Sequence, residues 1–156
     1  MDILLKYAPY KKEKSSGKEN FFPSLKKVQK YFLKLNHENG NNNYIFYTRE
    51  RENKDKTLIQ LKRFDIKGKD ENFIQDGENI YFFYKKKIIA KAIYVKTIDP
   101  ERDDKFKNGY KVKNVLLLGK PHPLEELSIK LHTRQAIYFI KRKDEELKKK
   151  LKELFR

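Results

Sequence analysis

Four acidic-x-Lys triplets, Glu52 to Lys54, Asp65 to Lys67, Asp103 to Lys105 and Glu146 to Lys148, have the residue types of a metal-dependent nuclease. Such an enzyme needs paired carboxylates to hold a cation and a lysine beside the attacking water. With 22 acidic residues and 31 lysines in 156 positions, chance alone yields about four such triplets, so they carry no signal. The three histidines, His37, His122 and His132, are too widely spaced for a metal-ligand pattern. Ser15, Ser16, Ser24 and Ser128 lack a GxSxG context or a base nearby in sequence, and the 6 glycines are scattered rather than gathered into a phosphate loop. With no cysteine, disulfides, thiolate zinc sites and thiol catalysis are excluded. These residues point to a binding protein, not an enzyme, with neither metal nor cofactor expected.

What the chain has in quantity is positive charge and aromatic rings. Lys and Arg number 38 against 22 Asp and Glu, a formal charge of +16 that favours polyanions. It also carries 10 Tyr and 11 Phe. Stacking a base on a ring is worth about 1–3 kcal/mol, and burying a Phe about 1.5–3 kcal/mol. Energy alone therefore does not assign a ring to core or ligand. Tyr44, Phe46 and Tyr47 lie between GNNN and TRERE, which brings aromatic, amide and arginine groups together. Phosphate contacts are expected from Arg49, Arg51, Lys85, Lys86, Lys87, Arg134 and Lys141. The Lys85–Lys87 run also reads as the solvated tip of a hairpin, and both readings stay open.

The elements that must position these groups follow from periodicity. Residues 11 to 20 read as a loop. Pro23 and Ser24 start a helix with Leu25, Val28, Phe32 and Leu35 on one face, ending near Asn39–Gly40. YIFYTRE and TLIQLKRF read as strands. NIYFFY (79–84) and IIAKAIYV (88–95) form a hairpin closed by the lysines. In NIYFFY, Ile80, Phe82 and Tyr84 line one face and Tyr81 and Phe83 the other, so the strand is expected to be buried on both sides, in a closed barrel or a sheet covered by helices. YKVKNVLLLG is a further strand with Tyr110, Val112 and Asn114 opposing Lys111, Lys113 and Val115, and Gly119 is expected to end it. Pro121 and Pro123 then launch a short helix, LEELSIKL. AIYFIK (136–141) is the last strand. Asp144 caps a terminal helix with Leu147, Leu151 and Leu154 on one face, and its early glutamates suit the helix dipole.

From Asn72 to Leu154 the order of features resembles the EVE branch of the PUA-like superfamily. FIQDGENIYFFY supplies a Gly-acidic pair, Gly77–Glu78, ahead of a strand ending in aromatic-Tyr. IIAKAIYV is the returning strand, KPHPLEELSIKL the Pro-Leu-acidic-Leu turn and helix, and TRQAIYFIKRKDEELKKKL the closing turn, strand and helix. Glu78 stands where Asp is usual. The chain has no Trp, so an aromatic cage must be built from Tyr and Phe. The resemblance implies a base pocket bordered by Tyr47, Thr48, Phe82 and Tyr84, with Asn43 reading a base edge. The basic lead-in and helical tail also resemble the recognition domains of McrB-type, modification-dependent restriction proteins, some of which precede a nucleotide-driven motor.

The expectation is therefore one α+β domain over residues 1–156: a small PUA-like, EVE-type β-barrel of five to six strands, flanked by helices. It has a basic lead-in over about 1–40, a C-terminal helix over about 144–155, and a single core. Its expected role is non-catalytic DNA recognition with a flipped, modified base held in an aromatic pocket. RNA binding on the same fold, and protein interaction through the terminal helix, are the alternatives. The opening MDILLKYAPYKKEK is too short an apolar stretch for a signal peptide, and no run approaches a membrane span, so a cytoplasmic protein without membrane contact is expected.

Overall fold

The computed structural model describes residues 1–7, 9–10, 24–39, 44–47, 58–59, 74–98, 109–131 and 137–156. Asn43, Thr48, Arg49, Arg51 and Arg134 lie outside them, as does the expected loop at 11–20. The strands are β1 (Ile3–Lys6), β2 (Pro9–Tyr10), β3 (Tyr44–Tyr47), β4 (Leu58–Ile59), β5 (Asn79–Tyr84), β6 (Lys87–Ile98), β7 (Gly109–Pro123) and β8 (Ile137–Phe139). The helices are α1 (Leu25–Asn39) and α2 (Glu145–Leu154), with a 3-10 turn at Leu124–Leu127. Six strands form one sheet in the order β3-β7-β6-β5-β1-β8, and β2 pairs with β4 separately. β1 runs parallel to β5 and every other ladder of the main sheet is antiparallel. The result is a mixed sheet with helices, of the α+β class. Among the described residues no ladder joins β3 to β8.

β5 explains the rest. Its residues from Ile80 to Tyr84 are all buried, and its two faces feed two hydrophobic clusters. Ile80, Phe82 and Tyr84 pack with Ile3, Leu5, Val28, Phe32 and Val112 under α1. Tyr81 and Phe83 pack with Leu4, Leu124, Leu127, Leu147 and Leu151 under α2 and the 3-10 turn. The alternation read from NIYFFY holds, with one hydrophobic cluster against each face of the strand. The expected single core is instead divided by the sheet into two. Each helix is built as its sequence directs. The Ser24 hydroxyl accepts from the Lys27 amide at 3.3 Å, and the Asp144 carboxylate accepts from the Leu147 amide at 3.2 Å, satisfying a donor that the helix itself leaves unpaired.

Four sequence expectations need correction. The first residues are more than a basic lead-in: Ile3, Leu4 and Leu5 have no exposed surface and form an inner strand between β5 and β8. Gly119 does not end β7, which continues to pair as far as His122 and Pro123. Beyond it, the expected helix is one 3-10 turn stopped by Ser128 at φ 58, with Leu124 and Leu127 buried three apart, as the 3.0-residue period allows. The fourth concerns the alternation along β7. Simple alternation puts Val112 and Val115 on opposite faces, yet both lie in the α1 cluster. Asn114 stands at φ 52 in a β-bulge, where β7 carries one more residue than β6 between paired positions, and this resets the alternation. Further register shifts occur in β5–β6 and β6–β7, so this meander bends along its length.

Leu4→Ala removes a fully buried side chain from the inner strand and is expected to lower unfolding free energy by about 2–5 kcal/mol. Chemical denaturation measures this, and a loss below about 1 kcal/mol would contradict an inner-strand position for β1.

Candidate nucleic-acid interface

The β5–β6 hairpin closes through Lys85 and Lys86 alone, and Lys87 already pairs with Tyr84. Both turn residues have positive φ, 48° and 62°. That is the type I′ turn whose twist suits a two-residue hairpin, for which Asn-Gly is the favoured sequence. Here two lysines occupy it. The left-handed conformation costs an L-residue with a long side chain about 1–2 kcal/mol. The turn is also tied down, since the Leu124 amide donates to the Lys86 carbonyl at 3.0 Å and links it to the 3-10 turn. Lys85, Lys86 and Lys87 are exposed. The Lys85 ammonium sits 5.6 Å from the centre of the Tyr84 ring.

The rings expected to line a base pocket are used differently. Phe82 has no exposed surface and packs 5.4 Å from Phe32, between centroids. Tyr84 is 4% exposed and meets Tyr7 edge-on at 6.2 Å. A ring so enclosed presents no face to a base. Nor are the residues assembled. Tyr47 pairs with Gly109, which pairs with Ile98, whereas Tyr84 pairs with Lys87. Tyr47 and Tyr84 therefore stand at opposite ends of β6, separated by about 35 Å of extended strand. Lys141, exposed, follows Ile140, whose amide donates to the Asp2 carbonyl at the other end of β5 from the lysine turn. Gly77, at φ 91, and Glu78 have a clear local role. The Gly77 amide donates to the Tyr94 carbonyl at 2.9 Å, and the Glu78 carboxylate takes the Gln75 amide at 2.7 Å and the Met1 amine at 2.6 Å.

The other polar groups from the sequence are also placed. His122 pairs with Glu126 at 3.3 Å, Glu146 with Lys150 at 3.3 Å, and the Lys148 ammonium donates to the Arg142 carbonyl at 2.7 Å. Among the described residues no group of three or more His, Asp or Glu is placed to hold a metal ion.

Sequence reasoning does not single out Lys91, Lys96, Lys111 and Lys113. Lys91 pairs with Leu116, Lys113 with Ile93, and Lys96 with Lys111. Lys91 marks the face they share, because its ammonium lies 5.7 Å from the Phe155 ring at the end of α2. The signal was present as the Lys-x-Lys spacing at 111 and 113, which in a strand puts both on one side.

Comparison with protein-family models, with curated proteins and with solved structures finds no match to this chain.

Burial, and to a smaller extent the nearby Asp2 carboxylate, push the Tyr81 hydroxyl up to about 12, and burial also raises Tyr84. Below pH 10 both phenols are protonated in folded and unfolded chains alike, and their stabilising preference for the neutral form is intact. Between pH 10 and 12 the unfolded chain ionises first, so stability falls across that window. Denaturation midpoints measured through it are expected to drop with rising pH, and less steeply for Tyr81→Phe. A variant as steep as the parent would show that Tyr81 does not contribute.

Proposed function

We propose that this protein is a non-catalytic nucleic-acid-binding module, with DNA the favoured ligand, that meets the phosphate backbone with its lysine turn. The observation that carries this is the turn itself. A strained backbone conformation persists where the surrounding structure enforces it, and such positions gather at functional sites. Two lysines stand where Asn-Gly is easier on the backbone. The conformational cost is thus accepted at a pair of projecting cations, on a chain of charge +16. Lysine acts on phosphate as a compact point charge.

The finer reading is an EVE-type, PUA-like barrel serving as the specificity domain of a McrB-type restriction system. Its support is the residue pattern from Asn72 to Leu154, together with a bulged, bending β5–β6–β7 meander. Within it, a flipped and modified base falls to Asn43, Tyr47 and Thr48, because Phe82 and Tyr84 belong to the core. Extruding a base costs a few kcal/mol, within reach of one stacked ring and a few hydrogen bonds. The RNA alternative keeps the same turn. The protein-docking alternative is less well supported, since Leu147 and Leu151, the side chains it needs, are buried against the chain's own sheet.

If about six phosphates are neutralised, log affinity for DNA should fall with log salt at a slope near −5. Lys85→Asn with Lys86→Gly should reduce that slope by about 2 while raising stability by about 1–2 kcal/mol through relief of the turn. A slope near zero for the unaltered chain would remove the proposal. Equal affinity for duplexes with and without methylated cytosine or adenine would remove the modified-base reading alone. Tighter binding of matched RNA would move the ligand to RNA. Leu147→Asp with Leu151→Asp is expected to unfold the chain, and a variant that stays folded would restore the docking alternative.

A further inference from the structure

We propose that the α2-side surface of β6 and β7 is a phosphate track for duplex DNA, gripped by Lys91, Lys96, Lys111 and Lys113. This rests on the nucleic-acid reading above and adds the part of the surface engaged and the form of the ligand. The register puts all four lysines on one face. Lys91 and Ile93 alternate along β6, Lys111 and Lys113 along β7, and the shift at Val95 brings Lys96 opposite Lys111 on the same side.

Two observations ask for an anion there. First, β6 and β7 together carry six lysines and no Asp or Glu, and no carboxylate among the described residues pairs with any of these four. Second, Lys96 and Lys111 are directly opposed. Like charges facing each other across a ladder destabilise the free sheet, and an anion between them reverses the sign of that interaction. From Lys91 to Lys96 the track runs about 16 Å, along which a double helix presents about nine phosphate charges.

The form of the ligand follows from what the described side chains on β5 and β6 and between the four lysines lack. Single strands are held largely by bases stacked on exposed rings. On β5 and β6 the rings of Tyr81, Phe82, Phe83, Tyr84 and Tyr94 are all buried. Phe139 is exposed, but it pairs with Ile3 at the distant β8 edge, on the α1 face. Phe155 is partly buried, near Tyr81 and beneath Lys91. Between the four lysines lie only aliphatic groups, the half-buried Ile93 and Leu116, the latter 40% exposed. Ammonium groups meet the phosphate backbone as compact point charges. They also offer no acceptor for the 2′-hydroxyl by which a protein recognises RNA.

The test uses the full chain with a short DNA duplex, its separated strands and the matching RNA duplex, each titrated over a range of salt. The DNA duplex is expected to bind tightest. Lys91→Gln, Lys96→Gln, Lys111→Gln and Lys113→Gln combined should reduce the salt slope by about 3–4. Lys96→Gln alone should reduce it by about 1 and raise the thermal midpoint, which keeps the test decisive if the combined variant folds poorly. Single strands that bind as well as the duplex overturn the duplex assignment, and a preference for the RNA duplex overturns DNA. Duplex binding with an unchanged slope in both variants overturns the track while leaving the lysine-turn reading in place. No binding by the unaltered chain to any of the three removes that reading and this one together.

Discussion

A strand with no polar side is the constraint on which this molecule is built. Over NIYFFY, only Asn79 reaches the intermediate zone and the other five residues are buried. Water is therefore excluded from both faces, and each must be covered by something apolar. α1 supplies one cover through Val28 and Phe32; α2 and the 3-10 turn supply the other through Leu147, Leu151, Leu124 and Leu127. The strand's edges need partners as well, since buried amides and carbonyls must be hydrogen-bonded. β6 takes one edge and the opening Ile3–Lys6 the other.

That constraint decides the competition for aromatic rings. Phe82 and Tyr84 cannot both complete the core and wait for a base, and the core has them. Charge is then what remains on the surface of the hairpin. The lysine turn and the lysines along β6 and β7 are outside the core because the sheet has no room inside for an ammonium without a partner. The division is physical: rings hold the sheet together, and cations are left at the surface.

Much of this was legible in the residues. The spacing of Leu25, Val28 and Phe32 marked α1, Asp144 with Leu147 and Leu151 marked α2, and the paired apolar faces of NIYFFY marked a strand buried on both sides. β1 was not legible, because three apolar residues, Ile3 to Leu5, are too few to show a period, and nothing local says that their partner begins at Ile80. The bulge at Asn114 was hidden for a related reason. A single residue in a left-handed conformation shifts the phase of everything after it, so Val115 reads as outward when it is inward. The site suffered from both. Pairing Tyr47 with Tyr84 needed the long-range register, which places them at opposite ends of β6. Recognising Lys96 and Lys111 as neighbours needed the shift at Val95.

The parallel insertion of β1 has a bearing on how the chain reaches its native state. Ile3 is made long before Ile80, and the two must meet for the inner edge of β5 to be satisfied. Local hairpins such as β5–β6 close within microseconds, whereas pairing across such a sequence interval waits on loop closure and slows folding. Until then Ile3, Leu4 and Leu5 are an unclaimed sticky segment, and the open flank of β5 is its natural receptor in any neighbouring molecule. The lysine-rich composition holds such half-folded chains apart through mutual repulsion.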